Sequence, residues 1–538
     1  MQRFFDLFSN PHPVGRICAV ARRGMVGASQ PTAAQAGISM LERGGNAIDA
    51  AIATAAALTV VEPTSNGIGG DAFALVWTNG ALHGLNASGP SPRSISLEAV
   101  LERKFTRMPR FGWEPVTVPG VPAAWAELSR RFGRLPLAET LNPAIRLARD
   151  GYAVPPNLSK LWQAAFTEYR RELQGAQFEP WFTTFAPNGR APRVGESWNS
   201  PDHAKTLELI AASDAKAFYE GELAERIDAF SSSGGGFLSK DDLASYKPEW
   251  VQPISTGYRG FDVWEIPPNG QGMSVLMALN ILKQLECDDH HSGLSVHQAI
   301  EAVKLAMADS SMHVTDPSVM RVPVERLLSD AYAAERASLI GPEALLPHPG
   351  EPVKGGTVYL ATADDEGNMV SYIQSNYEGF GSALVVPGTG IALQDRGCNF
   401  SLDPNHVNCL GPNKRTFHTI IPGFLTAEGI PVGPFGVMGG FNQPQGHVQV
   451  LTNMIDRHLN PQAALDAPRW RWLTEKEVLV EPHFSRSVAD ALMRRGHEVS
   501  TSMDAGMFGR GQIICKDPQT GALIGGTESR TDGMIAVL

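Results

Sequence analysis

The sequence predicts an α+β fold in which two β-sheets lie face to face between layers of helices. Three observations lead to this class. Helical spacing of apolar residues recurs up to residue 310, strand-like alternation dominates from residue 357 to residue 450, and helical spacing returns over residues 452–459 and 487–496. Strands with helices on both sides are typical of a layered sandwich, in which each sheet buries both of its faces.

The N-terminal part is predicted to begin with two helices. Residues 30–43 have helical spacing and end at Gly44-Gly45, a common helix stop. Asn46 can cap the next helix, and Asp49 lies in its first turn, where the helix dipole favours a carboxylate. This second helix is rich in alanine and apolar on all sides, which predicts that it is buried between layers.

Further elements follow in order. The Gly-rich loop at residues 66–71 lacks the GxxxxGK[ST] phosphate-loop pattern and leads into a predicted hairpin. Residues 231–236 read as a Ser/Gly turn without a function. Residues 339–356 are rich in Pro and Gly and have no periodic pattern, which predicts an exposed segment open to cleavage. The remaining predicted helices cover residues 122–150, 200–212, 222–231, 274–284 and 297–310, and the last strands cover residues 512–515 and 534–537.

Composition excludes several classes of protein. The 538 residues are 43% hydrophobic and 19% charged, which is ordinary for a globular protein with a large core. A formal charge of −11 without any Lys/Arg run argues against nucleic-acid binding. The longest apolar run, residues 50–61, is too short to cross a bilayer, so no membrane role is expected.

Cysteine usage and the start of the chain indicate a compartment. The five cysteines are widely spaced and form no CxxC pair, which is typical of reduced thiols in a reducing environment. Cys398 falls near the candidate site described below, and we interpret it as a packing residue. The first twenty residues contain charges and prolines but no apolar signal core, so we expect a cytoplasmic protein.

Thr357 is the leading candidate for a nucleophile. It follows Lys354-Gly355-Gly356, and a strand, a tight acidic turn and a second strand follow it over residues 358–375. A threonine hydroxyl needs a nearby base, and the simplest base is its own α-amino group, which exists only if the chain is cut just before it. The alternative is that Gly356-Thr357 is only a loop entering a strand. The pattern predicts that Thr357 heads an edge strand.

Other clusters do not support a catalytic site. His290-His291 with Asp288-Asp289 has no spacing of a standard tetrahedral metal site and reads as a solvated loop. No GxSxG motif is present to carry a Ser-His-Asp triad. Trp470 and Trp472 are predicted to pack in the core. We therefore expect no metal ion and no cofactor.

The motifs around Thr357 resemble the γ-glutamyltransferase (glutathione hydrolase) family. The resemblance covers nearly the whole chain from about Gly24. It rests on several motifs in one order: Gly44 to Ala51, Val61-Glu62-Pro63, Gly67 to Asp71, Val118-Pro119-Gly120, Gly133 to Pro136, Pro267 to Gly270, Phe380-Gly381-Ser382, Pro387 to Ile391, Gly411 to Arg415, Met438-Gly439-Gly440 and Arg530 to Gly533.

Membership implies a fold and a domain organisation. The fold would be the four-layer αββα sandwich of the N-terminal-nucleophile hydrolases. Self-cleavage between Gly356 and Thr357 would divide one shared globular fold into a large fragment, residues 1–356, and a small fragment, residues 357–538. The expected assembly is a heterodimer of these two fragments, or a dimer of such heterodimers.

The resemblance also assigns catalytic roles. Thr357 would be the nucleophile for self-cleavage and catalysis, and Ser375 falls where the family has a threonine that supports it. Gly439 and Gly440 match the pair whose backbone N–H groups form the oxyanion hole. Such donors stabilise the tetrahedral intermediate, and loss of one costs about a hundredfold or more in rate.

The substrate pocket departs from the family pattern. Ser88 stands in place of the arginine that binds the substrate α-carboxylate, and Asn399 in place of the aspartate that binds the α-amino group. Arg396 stands where an acidic or amide residue is usual. Tyr377 replaces an asparagine, and the paired serines become His418-Thr419.

These changes predict a substrate class. The pocket has lost the anionic partner of an ammonium group and gained a guanidinium, which pairs well with a carboxylate. The pattern is similar to the divergent branch of glutathione-hydrolase-like proteins, oxamate amidohydrolases and cephalosporin (glutaryl) acylases. We expect hydrolysis of a small carboxylate-bearing amide. The alternatives are true γ-glutamyl transfer from glutathione and, more remotely, a non-catalytic binding protein.

Overall fold

A computed structural model of the chain describes residues 16–286, 289–347 and 356–538. Within them, two seven-stranded antiparallel sheets pack face to face, and helices cover the outer face of each sheet. The predicted α+β sandwich is therefore confirmed as four layers in the order helix, sheet, sheet, helix. The described residues include no helix long and apolar enough to span a bilayer.

The strands are β1 (Ala19–Ala21), β2 (Gly24–Ala28), β3 (Asp71–Thr78), β4 (Ala81–Ala87), β5 (Tyr152–Ala153), β6 (Ser197–Trp198), β7 (Glu249–Val251), β8 (Ile254–Tyr258), β9 (Phe261–Glu265), β10 (Gly356–Asp364), β11 (Met369–Tyr377), β12 (Gly423–Ala427), β13 (Ile430–Met438), β14 (Trp470–Trp472), β15 (Glu477–Val480), β16 (Glu498–Thr501), β17 (Arg510–Lys516), β18 (Leu523–Thr527) and β19 (Met534–Val537).

The helices are α1 (Pro31–Glu42), α2 (Ala47–Val61), α3 (Leu97–Glu102), α4 (Val121–Phe132), α5 (Leu137–Asp150), α6 (Pro156–Glu172), α7 (Glu179–Phe185), α8 (Pro201–Ala212), α9 (Lys216–Tyr219), α10 (Glu222–Ser233), α11 (Lys240–Ser245), α12 (Gly272–Lys283), α13 (Gly293–His313), α14 (Val324–Leu327), α15 (Asp330–Ala337), α16 (Gln443–Ile455), α17 (Pro461–Asp466) and α18 (Arg486–Arg494).

The two large sheets have interleaved strand orders. The first sheet runs β1-β18-β17-β13-β12-β9-β8 and packs under α12, α16 and α17. The second runs β19-β2-β10-β11-β3-β4-β7 and packs under α1 and α2. Each sheet therefore combines strands from before residue 356 with strands from residue 356 onward.

Alternation along β10 and β11 directs the site residues into the space between the sheets. Tyr359 and Ile373 belong to the core between the two sheets, whereas Leu360 and Tyr372 belong to the core under the helices. Thr357 and Ser375 have the same parity as Tyr359 and Ile373, so they lie at the end of the inter-sheet layer.

A β-bulge marks this end of the hairpin. Gly356 pairs with Tyr377 and Val358 pairs with Gln374, so Ser375 and Asn376 together stand opposite Thr357. Tyr377 has a φ of 77°. Bulges of this kind re-aim side chains and recur beside active sites.

Helix α2 matches its prediction closely. The Asn46 side chain accepts from the backbone N–H groups of Ile48 and Asp49, and the Asp49 carboxylate accepts from Asn46 N–H, which completes a capping box. All fifteen residues of α2 are buried. The hairpin of β10 and β11 is also confirmed, with its turn at residues 365–368.

Three predictions about elements are wrong. The helix predicted over residues 122–150 is two helices, α4 and α5, separated by residues 133–136. Strand β10 is not an edge strand, because it lies between β2 and β11. The register pairs only Ala361 to Asp364 with β2, however, so the end that carries Thr357 is bonded on one side. The strand region also does not extend to residue 450, because α16 begins at Gln443; the Gly439-Gly440 turn ends the strand and starts the helix.

The segment before Gly356 is described in part. Residues 339–347 are mostly exposed, as predicted, while residues 348–355 lie outside the described residues. The described part is hydrogen-bonded to residues that come before it and after it in the chain. Ala344 N–H donates to Arg495 O at 2.7 Å, and Leu345 N–H donates to the Glu301 carboxylate at 3.1 Å.

Candidate active site

The hydroxyl groups of Thr357 and Ser375 lie against the carbonyl group of Gly356. Thr357 Oγ1 lies 2.8 Å from Gly356 O and 3.2 Å from Ser375 Oγ, and Ser375 Oγ lies 2.5 Å from Gly356 O. The N–H of Tyr377 donates to Ser375 Oγ at 2.7 Å. In one consistent arrangement, the Thr357 hydroxyl donates to Ser375, and the Ser375 hydroxyl donates to Gly356 O. Ser375 can then accept the threonine proton while it polarises the carbonyl of the 356–357 peptide bond.

The two candidate oxyanion glycines form the turn after β13. Gly439 and Gly440 have φ values of 145° and 61°, in the region that favours glycine. Gly440 O accepts a hydrogen bond from Gln271 Nε2 at 3.0 Å, and the same amide nitrogen donates to Thr419 O. Gln271, just before α12, therefore connects the glycine turn to the predicted substrate pocket.

Arg396 is completely buried, yet only part of its guanidinium is bonded. Nη1 donates to Thr419 Oγ1 at 2.7 Å, and the guanidinium carbon lies 4.3 Å above the ring centroid of Tyr377. Among the described residues, Nε and Nη2 have no hydrogen-bond partner, and neither does the Tyr377 hydroxyl. Burial lowers the pKa of Arg396, while Asp71 and Asp395 act in the opposite direction. Unsatisfied buried N–H groups of a guanidinium are well suited to an anionic ligand.

His418 faces a buried aspartate. Its Nε2 lies 3.0 Å from Asp71 Oδ2, and Ile420 N–H points at its Nδ1 at 3.4 Å. A neutral ring with its proton on Nε2 satisfies both contacts. Burial and the nearby Arg396 lower the pKa of His418 well below its usual value, while burial raises the pKa of Asp71 to about 7. Both ring nitrogens of His418 thus face protein groups.

Ser88 and Asn399 are also bonded to the protein. Ser88 Oγ donates to Asn86 Oδ1 at 2.7 Å and contacts the amide of Asn269. Asn399 is half-buried, and its Nδ2 donates to Phe417 O at 3.1 Å. The structure brings Arg396, Tyr377 and Thr419 into one group, whereas Ser88 and Asn399 support the loops around it.

A second buried acidic group lies beside this pocket. Glu378 forms an ion pair with Arg110, and Asp395 Oδ1 accepts from Glu378 N–H at 3.0 Å. Burial raises the pKa of Glu378 to about 7 and holds the pKa of Asp395 well above its usual value. Cys398 completes a set of three potential metal ligands, but the guanidinium of Arg110 already supplies a cation there.

A second cluster of potential metal ligands lies away from the site. His297, Glu301 and His497 bring their ligand atoms close together, and Lys304 Nζ lies 2.8 Å from Glu301 Oε1. His297 and His497 are bonded to each other at 2.9 Å. The ammonium group of Lys304 occupies the position of a cation, and we assign this cluster to the anchoring of residues 341–345. For the predicted His290-His291 loop, Asp288 lies outside the described residues.

Sequence reasoning missed two residues that organise the site. Asp71 is the last residue of the Gly67 to Asp71 motif, and Gln271 directly follows the Pro267 to Gly270 motif. The available signal for Asp71 was a charged residue at the start of an otherwise apolar strand. No local signal indicated the role of Gln271.

The site is closed in the uncut chain. Thr357, Ser375 and Arg396 have no exposed surface, so a substrate can reach them only if the surrounding chain moves. A separate cavity of about 950 Å³ lies on the outer side of the first sheet, lined by residues such as Tyr258, Trp470 and Phe484. None of the three site residues lines it.

Comparison with known proteins identifies the family of the chain. The sequence model of the family described as gamma-glutamyltranspeptidase matches residues 33–538. The chain is 38% identical to the glutathione hydrolase-like YwrD proenzyme of Bacillus subtilis, over 96% of this chain and 98% of that protein. It is 33% identical to the oxamate amidohydrolase proenzyme of Klebsiella pneumoniae, over 96% of this chain and 99% of that protein.

A solved structure extends the comparison to the fold. The crystal structure of a cephalosporin acylase from Bacillus halodurans is similar, with a TM-score of 0.96 and 60% sequence identity over 99% of both chains. The four-layer architecture of this chain is that of an N-terminal-nucleophile hydrolase. Relatives named for hydrolase activities match nearly the whole length of the chain. The chain is therefore a hydrolase that belongs to the gamma-glutamyltranspeptidase family.

Proposed function

We propose that this chain is a self-cleaving threonine amidohydrolase that hydrolyses the amide bond of a small carboxylate-bearing substrate. The observation that carries the proposal is the set of hydrogen bonds among Thr357, Ser375 and the carbonyl of Gly356. These hydrogen bonds place three groups around the peptide bond between Gly356 and Thr357: a nucleophile, an acceptor for its proton, and a hydrogen-bond donor to the carbonyl oxygen.

Self-cleavage would begin with attack of Thr357 Oγ1 on the carbonyl carbon of Gly356, while the hydroxyl proton passes towards Ser375. The C–N bond then breaks, the nitrogen takes up the proton that left Thr357 Oγ1 and was relayed by Ser375, and an ester joins Gly356 to Thr357. Water hydrolyses this ester and leaves a carboxylate on Gly356. The free α-amino group and hydroxyl of Thr357 remain at the new N-terminus.

Turnover would use the same hydroxyl with a new base. The free α-amino group has an ordinary pKa of roughly 8, which suits proton transfer near neutral pH. It takes the proton of Thr357 Oγ1 as that oxygen attacks the substrate amide, and it returns the proton to the leaving amine. The N–H groups of Gly439 and Gly440 stabilise the oxyanion. Water then releases the acid from the acyl-Thr357 ester.

The charge of the pocket supports an anionic substrate. Arg396 offers two guanidinium nitrogens, Nε and Nη2, that have no partner among the described residues, in a completely buried setting with the Tyr377 hydroxyl as a further donor. Asn399, at the family's aspartate position, is bonded to Phe417 O and carries no charge for an ammonium group. An oxamate-like or glutaryl amide fits this chemistry better than a γ-glutamyl amide, whose ammonium would lie near the guanidinium.

The alternative is true γ-glutamyl transfer. The similarity to proteins named glutathione hydrolase supports it, including one from Escherichia coli at 30% identity over 97% of this chain. Turnover of γ-glutamyl-p-nitroanilide, with and without a dipeptide acceptor, would be compared with turnover of oxamate and glutaryl-p-nitroanilide. A non-catalytic binding role predicts no turnover of any of them.

Self-cleavage is tested by mass spectrometry of the purified protein. Wild type is expected to give two fragments, residues 1–356 and 357–538, because the cut falls at the bond that Thr357 attacks. Thr357→Ala is expected to remain one chain, and Thr357→Ser, which keeps a hydroxyl, is the matched control and is expected to cleave. Cleavage of Thr357→Ala at the same bond would show that another residue performs the reaction.

A further inference from the structure

The guanidinium of Arg396 has no direct anionic partner. In the part of the chain that the structure describes, no carboxylate forms an ion pair with it, and Thr419 Oγ1 is its hydrogen-bond acceptor. The carboxyl group that most favours its charge is Asp71, and Asp395 acts in the same direction. A completely buried cation is costly unless an anion compensates it. Asp71 therefore offsets the charge of Arg396 from a distance, without a direct ion pair.

Asp71 is connected to Arg396 through two consecutive residues of one segment. The Asp71 carboxylate accepts from His418 Nε2, and the next residue, Thr419, accepts from Arg396 Nη1. The other carboxylate oxygen accepts from Gln394 Nε2 at 2.8 Å and from Gly89 N–H at 3.2 Å. The pair is thus rigidly held, and neither member has exposed surface.

We propose that the Asp71–His418 pair takes up a proton when a substrate carboxylate binds to Arg396, so that this pair sets the preference of the site for anions. The inference rests on the proposed carboxylate site. Before binding, Asp71 is the carboxylate that most offsets the charge of the Arg396 guanidinium. A bound carboxylate adds a second anion to the same buried space, and protonation of the internal pair restores the balance.

Other charged groups surround the pair, and each side of it has a second cation. Arg415 is the second cation near Asp71. The negative charge of Asp71 also raises the pKa of the buried hydroxyls of Tyr219 and Tyr246, to which burial contributes most. On the Arg396 side lie Asp395, Glu378, Cys398 and the Tyr377 hydroxyl. Glu378 has its own ion pair with Arg110, so the acids on that side have a second cation.

The sign of the effect follows from linkage. Burial raises the pKa of Asp71 to about 7, and Arg396 opposes that shift. A bound anion competes for Arg396 and raises the pKa of the pair further. Anion affinity is then greatest below about pH 7 and falls by up to about tenfold per pH unit above it, until pH exceeds the pKa of the bound state.

The test uses processed wild-type protein and two dicarboxylates, oxalate and glutarate, which carry no amide bond to hydrolyse. Isothermal titration calorimetry at pH 8 in buffers of different ionisation enthalpy measures the protons taken up on binding. We expect uptake approaching one proton in wild type and almost none in Asp71→Asn. Glu378→Gln is the matched carboxyl-to-amide control and should retain the uptake.

The outcomes separate this inference from the proposed function. Failure of both dicarboxylates to bind wild type would contradict the carboxylate site itself. Binding without proton uptake would overturn only the role of Asp71–His418, as would uptake that persists in Asp71→Asn and disappears in Glu378→Gln. If Asp71→Asn does not fold or cleave itself, the affinity of the wild type for the two dicarboxylates is measured from pH 6 to pH 9. An affinity that stays constant over this range contradicts the proposal.

Discussion

At the scale of single residues, Arg396 carries the prediction for specificity. Its Nε and Nη2 are buried and unpartnered, so a substrate carboxylate would complete their hydrogen bonding. Loss of one member of a buried charged pair costs on the order of 2–5 kcal/mol. Arg396→Ala is therefore expected to lower kcat/KM for a glutaryl amide by at least about thirtyfold. Self-cleavage should remain intact, because among the described residues no hydrogen bond or ion pair joins Arg396 to Thr357 or Gly356.

Two controls separate charge recognition from general damage. Arg396→Lys keeps the charge but loses the planar fork, so its kcat/KM should lie between those of wild type and Arg396→Ala. A butyryl amide, which lacks the carboxylate, should react equally with wild type and Arg396→Ala. Equal losses for the glutaryl and butyryl amides would mean that Arg396 supports the fold and does not bind the carboxylate.

At the scale of elements, the hairpin of β10 and β11 holds the two site hydroxyls in register. The Asp364 carboxylate accepts from Asn368 N–H at 2.9 Å within the turn and from Ala47 N–H at 2.9 Å at the start of α2. Asp364→Ala would leave these buried donors without partners. We expect a loss of on the order of 2–3 kcal/mol in the free energy of unfolding, measured by urea denaturation of the uncleaved Thr357→Ala chain.

The neighbouring residue supplies the control for the hairpin. Asp365 lies in the same turn but is exposed. Asp365→Ala is expected to change the free energy of unfolding by less than about 0.5 kcal/mol. Equal effects of the two substitutions would show that the carboxylate of Asp364 is not what secures the turn to α2.

At the scale of the whole molecule, the interleaved sheets should keep the fragments together after cleavage. In the second sheet β2 lies between β19 and β10, so a strand of the large fragment has small-fragment strands on both sides. The Met25 side chain on β2 is completely buried in the inter-sheet core, and separation would expose such surface. The cleaved protein is expected to elute as one species on native size-exclusion chromatography.

The uncleaved Thr357→Ala chain is the reference for that measurement, and both proteins should elute at the same volume. Denaturant should be needed to resolve the fragments. Two separate peaks under native conditions would mean that the shared sheets do not hold the fragments after the cut.

The amount that could be predicted from sequence differs between these scales. The hairpin followed from the alternation of apolar residues around an acidic Gly-Asn turn, and α2 followed from its cap and its alanine-rich composition. The placement of Arg396 in a candidate pocket came only from the family resemblance. The position of β10 inside a sheet was not predictable, because β2 and β11, its neighbours, come from opposite sides of it in the chain.

The sequence by itself determined the layered α+β class, the capped buried helix and the hairpin that begins at Thr357, because short-range periodicity and turn chemistry encode them. Only the tertiary structure decided that Asp71 lies against His418, 347 residues away in the chain. It alone decided also that Arg396 is buried, with no carboxylate paired to it in the described part of the chain. Contacts between residues so far apart depend on how the two sheets stack, and no local pattern of residues specifies that packing.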